Sequence, residues 1–279
     1  YMMTGAVVAV AAAALTSCDN VAEDDRFIKL PPIEADRAVL IEDFTGQNCL
    51  NCPVAHEKIE EMEKQYGADK VIAVSIHGGE LAISDRRPFG LMTEEGNEIC
   101  NYYAINVFPM GVIDGVTPPV LDSEWASAVY NDLQKPTEVQ LEASAELIEI
   151  EEVINDKKEV KQNISCTANI TSSEEGEGKI QFWIVESGIV AQQKMPDGSI
   201  NQNYVHNNVF RAQVFPMRGN PIAFSRDGAT ANGTIEVRER WSLENVSVVA
   251  FVSDNNNIVQ QVVKVPVKLT SDEPEAPAE

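Results

Sequence analysis

The chain has 279 residues, of which 44% are hydrophobic and 23% charged, and its 44 acidic residues against 21 basic ones give a formal net charge of −23. These proportions are those of globular proteins, which excludes wholesale disorder, a collagen-like repeat and a protein with many membrane spans. The excess of negative charge repels nucleic acid and anionic lipid alike, so we expect no nucleic-acid partner.

Residues 1–17 are predicted to be a lipoprotein signal peptide. An apolar run at 5–15 leads directly into Leu15-Thr16-Ser17-Cys18, which has the form of a lipobox. As a helix the run would be only about 17 Å long, against about 30 Å for the membrane core, so we expect it to be removed. Cys18 would then be lipidated and attach the protein to the membrane. The alternative is that Cys18 is an unmodified thiol after an ordinary apolar helix.

Residues 18–36 are predicted to be the lipid anchor and a tether between lipid and fold. They contain the acidic cluster Glu23-Asp24-Asp25 and the pair Pro31-Pro32, and they show no apolar periodicity. This composition favours an extended, solvated chain over a packed element.

Residues 37–135 are predicted to form an α/β domain that opens with a βαβ unit. Short β-branched or apolar runs indicate strands, and apolar residues at helical spacing indicate helices. The predicted elements are a strand at 39–41, a helix at 53–66, a strand at 71–76, a helix ending near 103, a strand at 110–113 followed by an Asp-Gly turn, and a helix at about 125–133.

Residues 136–268 are predicted to form an all-β domain. Apolar and polar residues alternate along several runs, and Gly, Pro, Asn and Asp occur between the runs, as is typical of strands joined by turns. We expect seven or eight strands, the last two forming a hairpin around 254–257, in an Ig-like β-sandwich. The acidic, proline-containing tail at 269–279 is predicted to be disordered.

The strongest local signal is Cys49-Leu50-Asn51-Cys52, which lies between a predicted strand and a predicted helix. We expect Cys49 to be exposed at the start of the helix and Cys52 to lie in its first turn. Unpaired N–H groups and the helix dipole at that end favour a thiolate, which lowers the pKa of the sulfur and makes it a nucleophile. Pro53 fits the first turn, where its missing N–H removes no hydrogen bond.

The run from Val39 to Phe44, followed by a loop and Cys49-x-x-Cys52, with Asp43 six residues before Cys49, resembles the redox-site opening of thioredoxin-like proteins. The run from Tyr103 to Pro109, followed by a strand, is similar to the segment in which that family has a cis-proline. The resemblance implies that Cys49 is the attacking thiolate, Cys52 the resolving thiol, Asp43 a buried carboxylate that assists Cys52, and Pro109 the cis residue, whose exposed backbone would bind a partner strand.

Two features depart from the thioredoxin pattern. Asn48 replaces the family's Trp before the first Cys, and Leu50-Asn51 replaces its Gly-Pro between the cysteines. The redox potential and the partner surface therefore do not follow from the resemblance. Two alternatives remain open for the motif: a permanent structural bridge, with Asp43 an ordinary surface acid, or a zinc or copper site.

The metal alternative uses Cys49 and Cys52 together with His56 and His77. Nothing in the spacing requires such a site, and we predict neither a metal nor a cofactor. A haem link is disfavoured because Pro53, not His, follows Cys52.

Cys100 and Cys166 are predicted to be small core residues. The stretch from Asn203 to Arg211 combines His, Tyr, Arg and several amides and could form a ligand surface. The favoured interpretation is a strand whose apolar side contains Val205 and Val209.

Taken together, the lipobox, the run from Gly46 to Pro53 and the run from Tyr204 to Arg211 resemble the Bacteroidetes outer-membrane lipoproteins named for a protein of about 28 kDa. The resemblance implies an outer-membrane location, with the protein lipid-anchored and facing the periplasm or the surface. Our first hypothesis is thiol-disulfide exchange with thiols and disulfides of envelope proteins. The alternative is a non-enzymatic surface binding or adhesion module in which the Cys-x-x-Cys bridge is structural.

Overall fold

The computed structural model describes residues 36–154 and 157–269. Residues 1–17, Cys18, nearly all of the tether and the tail after 269 lie outside this range, so the predictions for them remain predictions. No helix within the described residues is long and apolar enough to cross a membrane.

The described part of the chain contains three α-helices and fourteen strands. The helices are α1 (Cys52–Tyr66), α2 (Glu94–Tyr102) and α3 (Trp125–Leu133). The strands are β1 (Val39–Thr45), β2 (Val71–His77), β3 (Met110–Ile113), β4 (Val116–Leu121), β5 (Val139–Ile154), β6 (Lys157–Ser172), β7 (Gly176–Glu186), β8 (Ile189–Lys194), β9 (Ile200–His206), β10 (Val209–Gln213), β11 (Asn220–Phe224), β12 (Ala229–Glu236), β13 (Val246–Ser253) and β14 (Val259–Lys268).

Twelve of these strands form one large mixed sheet, and β8 and β9 form a separate hairpin. The sheet order is β12-β6-β5-β14-β13-β7-β10-β2-β1-β3-β4, with β11 also paired to β7. Strands β1 and β2 are parallel and joined through α1, which confirms the predicted βαβ unit. The protein is therefore mostly β, with few helices.

The sheet continues across the predicted boundary at residue 136. Strand β10 lies parallel to β2, with Val209 opposite Ser75, and its other edge pairs with β7. The two predicted blocks are thus joined by backbone hydrogen bonds within one sheet, which the sequence pattern did not indicate. The thioredoxin-like and Ig-like assignments remain predictions.

Apolar side chains form separate cores on the two faces of β1 and β2. On one face Val39 and Ile41 pack with α1 and α3. On the other face Leu40 and Phe44 pack with α2 and with residues of β7, β10, β13 and β14. A further core is shared by β5, β6 and β12 with β7 and β13, although β14 separates β5 from β13 in the sheet order. The large sheet must therefore fold over on itself.

Strand β4 was not predicted, and the later strands outnumber the seven or eight expected. Strand β4 contains Pro118 and Pro119, which lower strand propensity. The two prolines are tolerated because β4 lies at the edge of the sheet. The described residues after 136 form ten strands instead of seven or eight. The extra strands include the short pair β8 and β9, whose polar sequences give little alternation. The terminal hairpin of β13 and β14 is confirmed.

Asp114, in the turn between β3 and β4, links the first strand to the last. Its carboxylate accepts hydrogen bonds from Arg37 Nη2 at 2.6 Å and from Leu40 N at 2.8 Å. Its carbonyl accepts from Val259 N at 2.9 Å, and Arg37 also donates to the Val259 carbonyl. Because Arg37 and Asp114 are both buried, each depends on the other for a charged partner.

We expect Asp114→Ala to lower the free energy of unfolding by about 3 to 5 kcal/mol, because it leaves the Arg37 guanidinium buried without its carboxylate. Urea denaturation of the two proteins measures the difference. Asp122→Ala is the control, since Asp122 pairs with Lys58 near the surface and such pairs contribute about 1 kcal/mol or less. Equal losses in the two variants would show that the Arg37–Asp114 pair is not the link described here.

Candidate functional site

Cys49 and Cys52 form a disulfide in the loop between β1 and α1. Their Cα atoms are 5.5 Å apart, and Cys52 N donates to Cys49 Sγ at 3.2 Å. Cys52 begins the helix and Pro53 lies in its first turn, as the sequence indicated. The expectation that Cys49 is exposed is wrong: only 2% of Cys49 is exposed, and Cys52 is fully buried.

Two segments from elsewhere in the chain bury the disulfide. Gln193 of β8 donates from Nε2 to the carbonyls of Cys49 at 2.9 Å and Gly46 at 3.3 Å. Gln47 accepts at its carbonyl from Lys194 N, and its side chain donates to the Phe89 carbonyl. The loop after β2 and the hairpin of β8 and β9 therefore hold the disulfide loop from two sides.

Polar and apolar side chains of the same loop remain at the surface. Asn48, Leu50, Asn51 and Val54 are exposed around the two buried sulfurs. A partner protein can contact this rim, but it reaches the disulfide only if the covering segments move.

Asp43 lies on the face of β1 that packs against α1. It is fully buried, which overturns the alternative of an ordinary surface acid. Ser75 Oγ of the neighbouring strand donates to Asp43 Oδ2 at 3.1 Å, whereas Oδ1 has no hydrogen-bond partner in the described part of the chain. Asp43 Oδ1 is therefore free to accept a further hydrogen bond.

His56, on α1 one turn after Cys52, connects Asp43 to the later part of the chain. Its Nε2 lies 3.3 Å from Asp43 Oδ2 and 3.2 Å from Thr45 Oγ1. Its Nδ1 lies 2.9 Å from the hydroxyl of Tyr204 in β9. Burial, followed by the fields of Glu60, Asp43 and Glu57, raises the pKa of Tyr204 to about 12, so its hydroxyl keeps its proton at neutral pH.

His77 and His206 lie beside His56 and Tyr204, so all three histidines of the sequence lie in one region. The two rings are buried and 5.5 Å apart between centroids. Their nitrogens have no hydrogen-bond partner of good geometry among the described residues, although the backbone of Ser75 lies near His77 and that of Ala191 and Gln192 near His206. Burial lowers the pKa of His206 to about 4 and that of His77 well below its usual value, and the neighbouring histidines add to both shifts. Both rings are therefore neutral.

These residues line a small cavity of about 60 Å³, which the sequence pattern did not indicate. Val205 was expected on the apolar side of its strand, but it is 49% exposed, and the neighbouring Tyr204 and His206 point inward instead. The signal was present in the period-two placement of Tyr204 and His206, which in this strand marks the buried face.

The Cys₂His₂ metal site drawn from the sequence is not formed, because the two sulfurs are bonded to each other. Among the described residues, no group of three or more His, Cys, Asp or Glu side chains has the geometry to hold a metal ion.

Pro109 follows a cis peptide bond, as the resemblance implied, but it is buried and not exposed as expected. It directly precedes β3, whose first residue Met110 is opposite Phe44 of β1. Pro109 therefore lies at the end of β1 from which the disulfide loop begins. A second cis bond, Thr117–Pro118, was not predicted.

Cys100 and Cys166 are buried free thiols, as expected of core residues. Burial raises the pKa of each to about 12, so neither offers a thiolate at neutral pH.

Comparison with known proteins gives a family and a fold. A family described as "Outer membrane protein Omp28" matches residues 97–271, which include Tyr204 and His206 but not the disulfide loop. The fold is similar to that of HBP35 of Porphyromonas gingivalis, with a TM-score of 0.58 and 12% identity over 87% of this chain and 80% of that one. No curated protein sequence matches the chain. Because the family match covers more than half of the sequence, the protein belongs to the outer membrane protein Omp28 family.

Proposed function

We propose that the protein exchanges thiols and disulfides with proteins of the cell envelope through Cys49 and Cys52, and that a lipid on Cys18 tethers it to the outer membrane. The observation that supports this most directly is the chain of Asp43, His56 and Tyr204 beside the disulfide. A bridge that only holds two segments together needs no buried carboxylate against a histidine one helical turn after its second cysteine.

In the reductive direction, the Cys49 thiolate attacks one sulfur of a client disulfide. A Cys49–client bond forms, the client disulfide breaks, and the second client sulfur leaves as a thiolate that takes a proton. The Cys52 thiolate then attacks Cys49 Sγ, which forms the observed disulfide and releases the first client sulfur as a thiol. Two electrons pass from the cysteine pair to the client, and a second dithiol protein of the compartment returns them.

Asp43 and His56 serve this exchange by accepting the proton that Cys52 must lose before it attacks. Cys52 begins α1, His56 follows one turn later, and Asp43 lies beneath that turn within 3.3 Å of His56. The start of a helix also favours the thiolate over the thiol. The thioredoxin-like assignment of this region is part of the proposal, supported by the βαβ unit and by Pro109 before β3.

A structural bridge in a non-enzymatic binding module is the second candidate. It is favoured by the burial of both cysteines and by the hydrogen bonds from Gln47 and Gln193 that fasten the loop. The two candidates differ in how readily the disulfide is reduced.

We expect a reduction potential between about −270 and −120 mV for the Cys49–Cys52 pair, the span of known exchange proteins. Equilibration with glutathione and trapping of free thiols measures it. Cys166→Ser is the control, because the buried Cys166 should not contribute to the trapped signal. A potential below about −300 mV would favour the structural bridge and rule against exchange.

We expect Gln193→Ala to increase the rate at which a small thiol reduces the disulfide by about fivefold. The hydrogen bonds from Gln193 to the disulfide loop stabilise the conformation in which the hairpin covers the sulfurs by about 1 kcal/mol, and the variant lacks them. Stopped-flow kinetics with dithiothreitol measures the rate. Gln192→Ala is the control, since it keeps the backbone carbonyl that accepts from Gln47. Equal rates in both variants would mean that the hairpin does not limit access.

We expect Tyr204→Phe to slow client-disulfide reduction about fivefold at neutral pH and to shift the pH dependence of the rate, because His56 loses the partner of its Nδ1. Tyr130→Phe, on α3, is the matched control. A rate and a pH profile equal to those of the unaltered protein would show that Tyr204 only packs against His56, and would remove β9 from the mechanism.

A further inference from the structure

A second cleft lies on the opposite face of β1 from the disulfide. It is small, with a volume of about 40 Å³ while Arg218 lies against it, and its walls are mainly aromatic and aliphatic. The aromatic residues that line it are Tyr102, Tyr103, Trp183 and Phe251. Their rings meet edge to face, with 5.1 Å between the centroids of Tyr102 and Tyr103 and 4.9 Å between those of Trp183 and Phe251.

Glu42 is the acidic residue of this cleft. It is almost fully buried, and its Oε1 accepts a hydrogen bond from the Tyr103 hydroxyl at 3.0 Å. No basic side chain in the described part of the chain lies within ion-pair distance of it. A buried carboxyl without a cationic partner is costly, and burial raises its pKa to about 8. The cleft therefore contains an acid that a cation would stabilise in its charged form.

Arg218 stacks on the aromatic wall, close enough for its charge to act on Glu42, but it forms no ion pair with that carboxyl group. Its guanidinium carbon lies 3.4 Å from the centroid of the Tyr102 ring and 5.5 Å from that of Tyr103. Arg218 has a positive φ of 86°, in the segment between β10 and β11. The chain's own guanidinium thus shows which chemical group these rings accept.

Two further polar groups beside the cleft are unpaired. Trp183 Nε1 is a buried donor and Gln213 Oε1 a buried acceptor, and neither has a hydrogen-bond partner in the described range. Gln213 Oε1 can accept from a guanidinium N–H, and Trp183 Nε1 can donate to a peptide carbonyl. An arginine residue of a polypeptide offers both of these complements.

We propose that this cleft binds an arginine side chain of a partner protein, with the guanidinium between the aromatic wall and Glu42, and that Arg218 swings aside to admit it. The net charge of −23 draws basic segments towards the protein. The proposal is independent of disulfide exchange, because Glu42 and Asp43 point to opposite faces of β1.

N-acetyl-arginine amide is the probe, and N-acetyl-citrulline amide, its uncharged analogue of nearly the same shape, is the control. Both are titrated into the unaltered protein while the indole N–H resonance of Trp183 is followed by NMR, with Trp183→Phe to assign that signal. We expect the arginine probe to shift this resonance and to bind at least about tenfold more tightly than the citrulline probe. Equal binding of the two probes would overturn the proposal.

Two variants test how the charges of Glu42 and Arg218 affect arginine binding. Glu42→Gln should weaken arginine binding about tenfold, and Arg218→Asn should strengthen it several-fold, because Asn tolerates the positive φ and vacates the wall. Unchanged affinity in Glu42→Gln, or weaker binding in Arg218→Asn, would contradict the proposal. The citrulline comparison needs no variant and remains decisive if either fails to fold.

The affinity should also rise as the pH increases through about 8, because Glu42 then becomes ionised. The titratable groups whose fields act on Glu42 are Tyr103, Arg218 and Asp114, and Cys100 lies close enough to feel its charge. Of these only Glu42 gains a negative charge near pH 8 within the cleft. An affinity for the arginine probe that falls over this range would contradict the role of Glu42.

Discussion

The parallel pairing of β10 with β2 determines where the later part of the chain meets the disulfide. Val209 lies opposite Ser75, and Ser75 donates to the buried carboxylate of Asp43. Strand β9 ends three residues before Val209, so this register also places Tyr204 against His56 and brings the hairpin of β8 and β9 over the disulfide loop.

Strand β1 has carboxyl groups on both faces, and the fold accommodates each in a different way. Asp43 lies among polar side chains: it accepts a hydrogen bond from Ser75 and lies against the ring of His56, which in turn contacts the Thr45 hydroxyl. Glu42 lies among aromatic rings with one hydroxyl partner, and its pKa is raised accordingly. Two adjacent residues of one strand therefore serve two chemically distinct sites, because consecutive side chains of a strand point in opposite directions.

Local signals were sufficient to predict much of the first half of the fold. The βαβ unit follows from apolar periodicity and the start of α1 from Pro53. The cis bond before Pro109 was implied only by the resemblance to thioredoxin-like proteins, and the one before Pro118 was not anticipated. The terminal hairpin follows from alternation on either side of an Asn-rich turn.

Features that depend on distant segments were not predictable from one sequence. The burial of Cys49 requires Gln193, which is 144 residues away, and the grouping of the three histidines requires the register of β10. Strand β4 was hidden by its prolines, which give no indication that the strand lies at an edge. In each case the prediction needed to know which strands pair with each other in the sheet. The pattern of residues within one strand does not give that information.

The ties between the first and last strands have a consequence for the order in which the protein is made and exported. Ala38 N donates to Gln261 Oε1, and Arg37 donates to the Val259 carbonyl, so β1 is completed by residues close to the end of the fold. A chain that emerges from its N-terminus presents Cys49 and Cys52 to the compartment before the segments that bury them have arrived. In the folded protein the same two sulfurs are reached only when the loop after β2 and the hairpin of β8 and β9 move.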